Sequence, residues 1–138
     1  MIQRIQTIWL LLAAVAALLT FKLSFFSGNI LVGQTKTFTP LNAAYNTPIL
    51  VVTCLIAAAT LVIVFLYKNR KLQMRMTLAT IIISLLNLLL YYNQTHLFAE
   101  GSYDLTALVS LSIPVFLMLA ARGIYRDQKL VKSLDRLR

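Results

Sequence analysis

Met76-Thr77-Leu78-Ala79-Thr80-Ile81-Ile82-Ile83-Ser84-Leu85-Leu86-Asn87-Leu88-Leu89-Leu90-Tyr91-Tyr92-Asn93-Gln94 is the stretch that decides how this chain folds. It is apolar from Met76 to Tyr92, yet Thr77, Thr80, Ser84, Asn87, Tyr91 and Gln94 recur at alternating steps of three and four. That spacing puts them on one face of an α-helix. Hydrocarbon cannot hydrogen-bond such groups, so the stripe has to face protein, or water held by protein, while the leucines face lipid. The stripe therefore marks the interior of a membrane bundle.

The rest of the chain agrees. Its 138 residues are 59% hydrophobic and only 12% charged, against about 25% charged in a soluble domain. The length suits one domain, residues 1–138. The apolar residues fall in four blocks, read as spans over about residues 5–26, 48–67, 72–94 and 105–125. Each approaches or exceeds the ~20 residues that a helix needs to cross the hydrocarbon. Arg4 and the first apolar run also resemble a cleaved signal peptide, but the run continues through Leu18, Leu19, Phe21, Phe25 and Phe26 without a clean small-residue cleavage site. Asn46 or Thr47 is positioned to cap the second span, with Pro48 in its first turn. Asp104 is positioned to cap the fourth, and Pro114 inside it predicts a kink near Ser110. The single cysteine, Cys54, lies within an apolar block and reads as a small buried hydrophobe.

Of the thirteen Lys and Arg residues, all but Lys22 and Lys36 flank the spans on one side. Arg4 precedes span one; Lys68, Arg70, Lys71 and Arg75 crowd the connection between spans two and three; the others follow from Arg122 onward. The positive-inside rule puts that side, with both termini, in the cytoplasm. Trp9, Tyr67 and Tyr125 mark the inner interface, and Tyr45, Tyr91, Tyr92 and Tyr103 the outer one. The net charge of +9 is thus read as affinity for a membrane surface rather than nucleic acid.

Outside the lipid two segments stand out. In the loop over residues 27–45, Gly28, Asn29, Gly33 and Pro40 read as turn formers, and Ile30–Val32 and Thr35–Thr39 as two short strands around Gly33-Gln34. A hairpin there would need to pack on the helix ends to be stable. The tail over residues 126–138 sets Leu130, Val131, Leu134 and Leu137 at helical spacing with Arg126, Lys129, Lys132, Arg136 and Arg138 around them. It reads as a basic amphipathic helix on the anionic inner leaflet, with a cytoplasmic protein docked on the leucine face as the alternative. Nucleic acid is excluded because no stacking aromatics interleave the bases.

Chemistry has little to work with. The one histidine, His96, is spaced by four from Glu100, and Glu100 by four from Asp104, but Gly101 interrupts the segment. No metal-ligand cluster, nucleotide loop or cysteine pair appears, and Ser84 has no evident base. The reading is therefore no enzyme, no cofactor and no metal. The stripe Thr77, Thr80, Ser84, Asn87 and Tyr91 is assigned to an interhelical polar seam. Small residues are available as its partners at Ala13, Ala16, Ala17, Thr20 and Ser24, at Thr53, Ala57 and Thr60, and at Thr106 and Ser110.

The opening Met1-Ile2-Gln3-Arg4-Ile5-Gln6-Thr7-Ile8-Trp9-Leu10-Leu11-Leu12 and the ending Arg126-Asp127-Gln128-Lys129-Leu130-Val131-Lys132-Ser133-Leu134-Asp135-Arg136-Leu137-Arg138 give the chain a family resemblance. With four spans between these ends, it resembles the bacterial, mainly Bacteroidetes, membrane-protein family catalogued as domain of unknown function 4293. The resemblance implies a bacterial inner membrane and carries no functional residues. The expected architecture is all-α: a four-transmembrane-helix bundle with an outer hairpin and a basic cytoplasmic C-terminal amphipathic helix. The expected role is a non-catalytic scaffold or accessory subunit with a membrane-protein partner or a second copy of itself. A small solute or lipid transporter lined by the stripe is the alternative.

Overall fold

The computed structural model describes residues 2–32 and 35–135, with side chains described for residues 5–31 and 35–131. Four helices dominate: α1 (Ile2–Leu19), α2 (Thr47–Phe65), α3 (Arg70–Thr95) and α4 (Ala107–Asp135). One 3-10 turn, Leu66–Lys68, joins α2 to α3, and the Asn69 side chain caps α3 by accepting from the Leu72 N–H at 3.4 Å. Each helix packs on two neighbours, α1 and α3 each lying between α2 and α4.

The polarity of this ring is inverted relative to a soluble bundle. Every fully buried residue of α3 is polar or tyrosine: Gln73, Thr77, Thr80, Ser84, Asn87 and Tyr91. Leu78, Ile82, Leu85, Leu86 and Leu89 of the same helix are exposed. Around the seam sit small or apolar residues of the other helices, among them Ala13, Ala16, Ala17, Ile56, Ala57, Leu117 and Ala120. Among the described residues three segments, Thr47–Lys68, Arg70–Thr95 and Ala107–Val131, are long and apolar enough to cross a membrane, while Ile5–Leu19, within the expected first span, is a shorter apolar helix.

The chain is not all-α. Strands β1 (Phe26–Val32), β2 (Thr35–Leu41) and β3 (Glu100–Tyr103) form an antiparallel sheet in the order β2-β1-β3. The expected hairpin exists, with Val32 opposite Thr35, so its connection falls on residues 33 and 34, outside the described residues. It is longer than expected: Gly28 and Asn29 lie within β1, and Pro40 lies within β2, an edge strand that can spare an N–H. β3 comes from the loop between α3 and α4, pairing Phe26 with Tyr103 and Gly28 with Gly101. Gly28 has to be glycine, because a Cβ there would meet the Glu100 carbonyl oxygen and lie 2.9 Å from the Gly101 Cα. Phe25, Phe26 and Leu41 anchor the sheet on Ile49, Tyr91 and Ala107 at the helix ends.

Three further expectations change. The first apolar run is helical only to Leu19; there the Thr20 hydroxyl bonds the Ala17 carbonyl at 2.7 Å and the chain turns through Phe21 and Lys22. As far as Asp135 the C-terminal basic segment is not a separate helix but the continuation of α4, which passes through Pro114 without ending; residues 136–138 lie outside the described residues. Cys54 is exposed, on the outer surface of α2.

Candidate functional site

Most of the seam's hydroxyls serve their own helix. Thr77 and Thr80 donate to the carbonyls of Gln73 and Met76, both at 2.8 Å, and Ser84 to that of Ile81 at 2.7 Å. On α2, Thr60 likewise bonds the carbonyls of Ile56 and Ala57. Such back-bonds remove the desolvation penalty of a buried hydroxyl without linking helices.

Two amides do cross between helices. Asn87 Nδ2 donates to Thr53 Oγ1 of α2 at 3.1 Å. Gln73 Nε2 donates to the Ile63 carbonyl at 3.1 Å, in the last turn of α2, as a second donor beside the Leu66 N–H. Gln73 was absent from the expected seam, although it lies within the expected span 72–94 and continues the four-residue step back from Thr77; it precedes the unbroken apolar run that begins at Met76. Gln94, at the other end of the stripe, is only partly buried. Tyr91 is buried and stacks on Phe25 with ring centroids 4.9 Å apart.

At the sheet end, Asp104 lies ahead of α4, but its carboxylate is taken by the chain leaving α1. Ser24 and Ser27 both donate to Oδ2, Ser27 at 2.5 Å, while Thr106 Oγ1 bonds the Ser24 carbonyl. This latch fixes the turn after α1 to the start of α4. His96, Glu100 and Asp104 do not converge. His96 sits edge-on to Tyr92, and Glu100, in β3, pairs with Lys36 of β2 at 2.9 Å. The Lys36 ammonium holds the exposed Glu100 carboxyl below its ordinary range, by hydrogen bond and by charge.

At the other end the basic residues gather. Arg70 of α3 donates to the Asp127 carbonyl at 3.3 Å, and Gln128 Nε2 returns to the Arg70 carbonyl at 2.7 Å. These bonds clamp α3 to α4. Arg126 and Lys129 of the tail are exposed; the side chains of Lys132, Arg136 and Arg138 lie outside the described residues. Between α1 and α4 at this end lies a groove of about 350 Å³.

The family model described as Domain of unknown function (DUF4293) matches residues 2–137. No curated protein matches the chain, and no solved structure does.

Proposed function

Because the chain belongs to the family described as domain of unknown function (DUF4293), whose description carries no activity, we propose its role from its own geometry. It is a four-span protein of a bacterial inner membrane, with both termini in the cytoplasm, acting as a non-catalytic scaffold or accessory subunit. The observation that carries this reading is the inverted polarity of the ring, with α3 burying its polar face and exposing its leucines. In water that arrangement would expose apolar area and hide polar groups; in lipid both terms reverse sign.

Orientation follows from the basic end, where Lys68, Arg70, Lys71, Arg75, Arg122, Arg126 and Lys129 gather. The scaffold role is supported by the seam itself, whose six residues are each at most 4% exposed and whose Thr77, Thr80 and Ser84 hydroxyls bond their own helix. A closely packed interior, in which the buried Thr and Ser hydroxyls are satisfied by their own helix, supports holding shape rather than passing solutes. The tail, as the extension of α4, brings Arg126 and Lys129 to the anionic inner leaflet or to a membrane-protein partner.

Gentle purification of the tagged protein, with identification of what accompanies it, tests the role. A stoichiometric membrane-protein companion is expected; recovery of lipid and self alone would remove the accessory reading. Reporter fusions at the C-terminus and in the β1–β2 hairpin test the orientation, and a C-terminus outside the cell would overturn it.

The carrier reading draws on two interior acceptors, Asn87 Oδ1 and Gln73 Oε1, that lack hydrogen-bond partners within the chain. An Asn87→Leu variant that lost uptake of a solute while unfolding normally would favour it.

A further inference from the structure

The groove between α1 and α4 at the basic end has two kinds of wall. Ile5, Trp9 and Leu119 make an apolar side, and Trp9 is held in place by stacking on Phe116 with centroids 5.9 Å apart. Arg122 and Arg126 make a charged rim. The two arginines stand one turn apart on the same face of α4, where like charges repel. Among the described residues neither has a carboxylate partner. The floor is made by Gly123 against Gln6, packed so closely that a Cβ on Gly123 would lie 3.1 Å from the Gln6 Cβ. Gln6 is 4% exposed, and its Oε1 has no hydrogen-bond partner within the chain.

Depth supplies the other constraint. At the helical rise, Arg122 and Arg126 lie about 22 and 28 Å along α4 from Ala107. A hydrocarbon core is about 30 Å thick. With Ala107 at the outer edge of the hydrocarbon, Arg126 stands near the inner headgroup layer, Arg122 reaches it by snorkelling, and the apolar side of the groove lies at the depth of the acyl chains. Ligand-holding cavities span roughly 300–1,000 Å³, and this one is of the smaller kind.

We propose that this groove is a binding site for one anionic glycerophospholipid of the inner leaflet. The two arginines hold the phosphate, and Trp9, Ile5 and Leu119 receive the upper acyl chain. The occupant is a lipid rather than a soluble phosphate because Ile5, Trp9 and Leu119 set an apolar wall beside the charged rim. The proposal rests on the membrane reading above and adds a site to it.

Native mass spectrometry of the detergent-purified full chain, titrated with phosphatidylglycerol or phosphatidylcholine, tests this. One phosphatidylglycerol per chain is expected to survive, in preference to phosphatidylcholine. A base near an anionic headgroup is worth about a factor of five in binding, so R122Q/R126Q should weaken retention about twenty-five-fold. The control K71Q/R75Q removes the same charge at the same end but outside the groove, and should change it less than about threefold. Leu119→Trp, which fills the groove without touching a charge, should also reduce retention. Equal losses in the two double variants, equal retention of both lipids, or full affinity in Leu119→Trp would each overturn the site. So would displacement of the lipid by millimolar inorganic phosphate. Failure of the membrane reading looks different: the chain would then stay monodisperse without detergent.

Discussion

Replacing Thr77 and Thr80 by valine should leave the bundle almost as stable as before. The hydroxyls of both residues donate to carbonyls of their own helix, four residues back and at 2.8 Å. Those carbonyls already accept the helical N–H of the same residues. Valine keeps the branched shape, removes the donor and leaves no partner stranded, so each substitution should shift stability by no more than about 0.5 kcal/mol. Ser84→Ala should behave alike, since its hydroxyl bonds the Ile81 carbonyl. Asn87→Leu is the contrast, because it removes the 3.1 Å bond to Thr53 across two helices. Interhelical side-chain bonds in membranes average about 0.6 kcal/mol and reach about 1.7. Gln73→Leu should cost a similar amount by removing the 3.1 Å bond to the Ile63 carbonyl, which would keep the Leu66 N–H. Steric trapping in micelles resolves such differences, since about 1.4 kcal/mol is a tenfold change in the unfolding constant. The reasoning fails if Thr77→Val/Thr80→Val costs more than about 1.5 kcal/mol while Asn87→Leu costs nothing. The hydroxyls would then be bridging helices.

Gly28→Val should separate β3 from β1, because the new side chain collides with backbone at Glu100 and Gly101; amide exchange at residues 100–103 should accelerate at least tenfold while α3 is unaffected, and intact protection would contradict the close approach. A nitroxide at Cys54, on the exposed surface of α2, should collide readily with oxygen and poorly with a nickel chelate in bilayers; the reverse order would place that face in water. The Glu100 carboxyl should titrate below the ordinary glutamate range and return to it in Lys36→Met. A depressed folded pKa adds stability above the unfolded value, lost as pH falls through the folded one, so this contribution disappears on acidification. Both partners are well exposed, so added salt should weaken it. An NMR titration with no difference between the two proteins would remove the ion pair.

The stripe on α3 was legible because its spacing is local and its chemical contrast with the leucines is large. The hairpin was legible for the same reason, with turn residues between two short runs. What escaped depended on distant partners. Glu100–Tyr103 is four residues long and becomes a strand only by pairing with Phe26–Asn29, a contact that no local pattern encodes. The end of α1 was hidden because Phe21, Leu23, Phe25 and Phe26 prolong the apolar run. Hydropathy does not distinguish a phenylalanine facing lipid from one turned into an aromatic cluster, and Phe25 and Phe26 do the latter against Tyr91, Phe98 and Tyr103. Cys54 was misplaced because α2 is apolar all round, and only Thr53, Ala57 and Thr60 mark its inner face.

The short first helix explains the sheet. At 18 residues α1 is about 27 Å long, whereas α3 at 26 residues is about 39 Å. Their basic ends are nearly level: Gln6 of α1 meets Gly123, and Arg70 of α3 meets Asp127, one turn further along α4. Ile2 is itself about one turn below Gln6. The opposite ends must therefore differ by about 12 Å, more than two turns. That step would leave the inner face of α3 around Tyr91 uncovered, at a depth where a tyrosine ring needs both apolar cover and fixed neighbours. Phe25 fills it by stacking on Tyr91, and the sheet that begins at Phe26 closes over it, held by Asp104 through Ser24 and Ser27. Lengthening α1 would not restore a simpler bundle. Extra helical turns would enter the volume now occupied by β1 and break the latch, so the sheet is part of the fold's interior rather than an appendage on its loops.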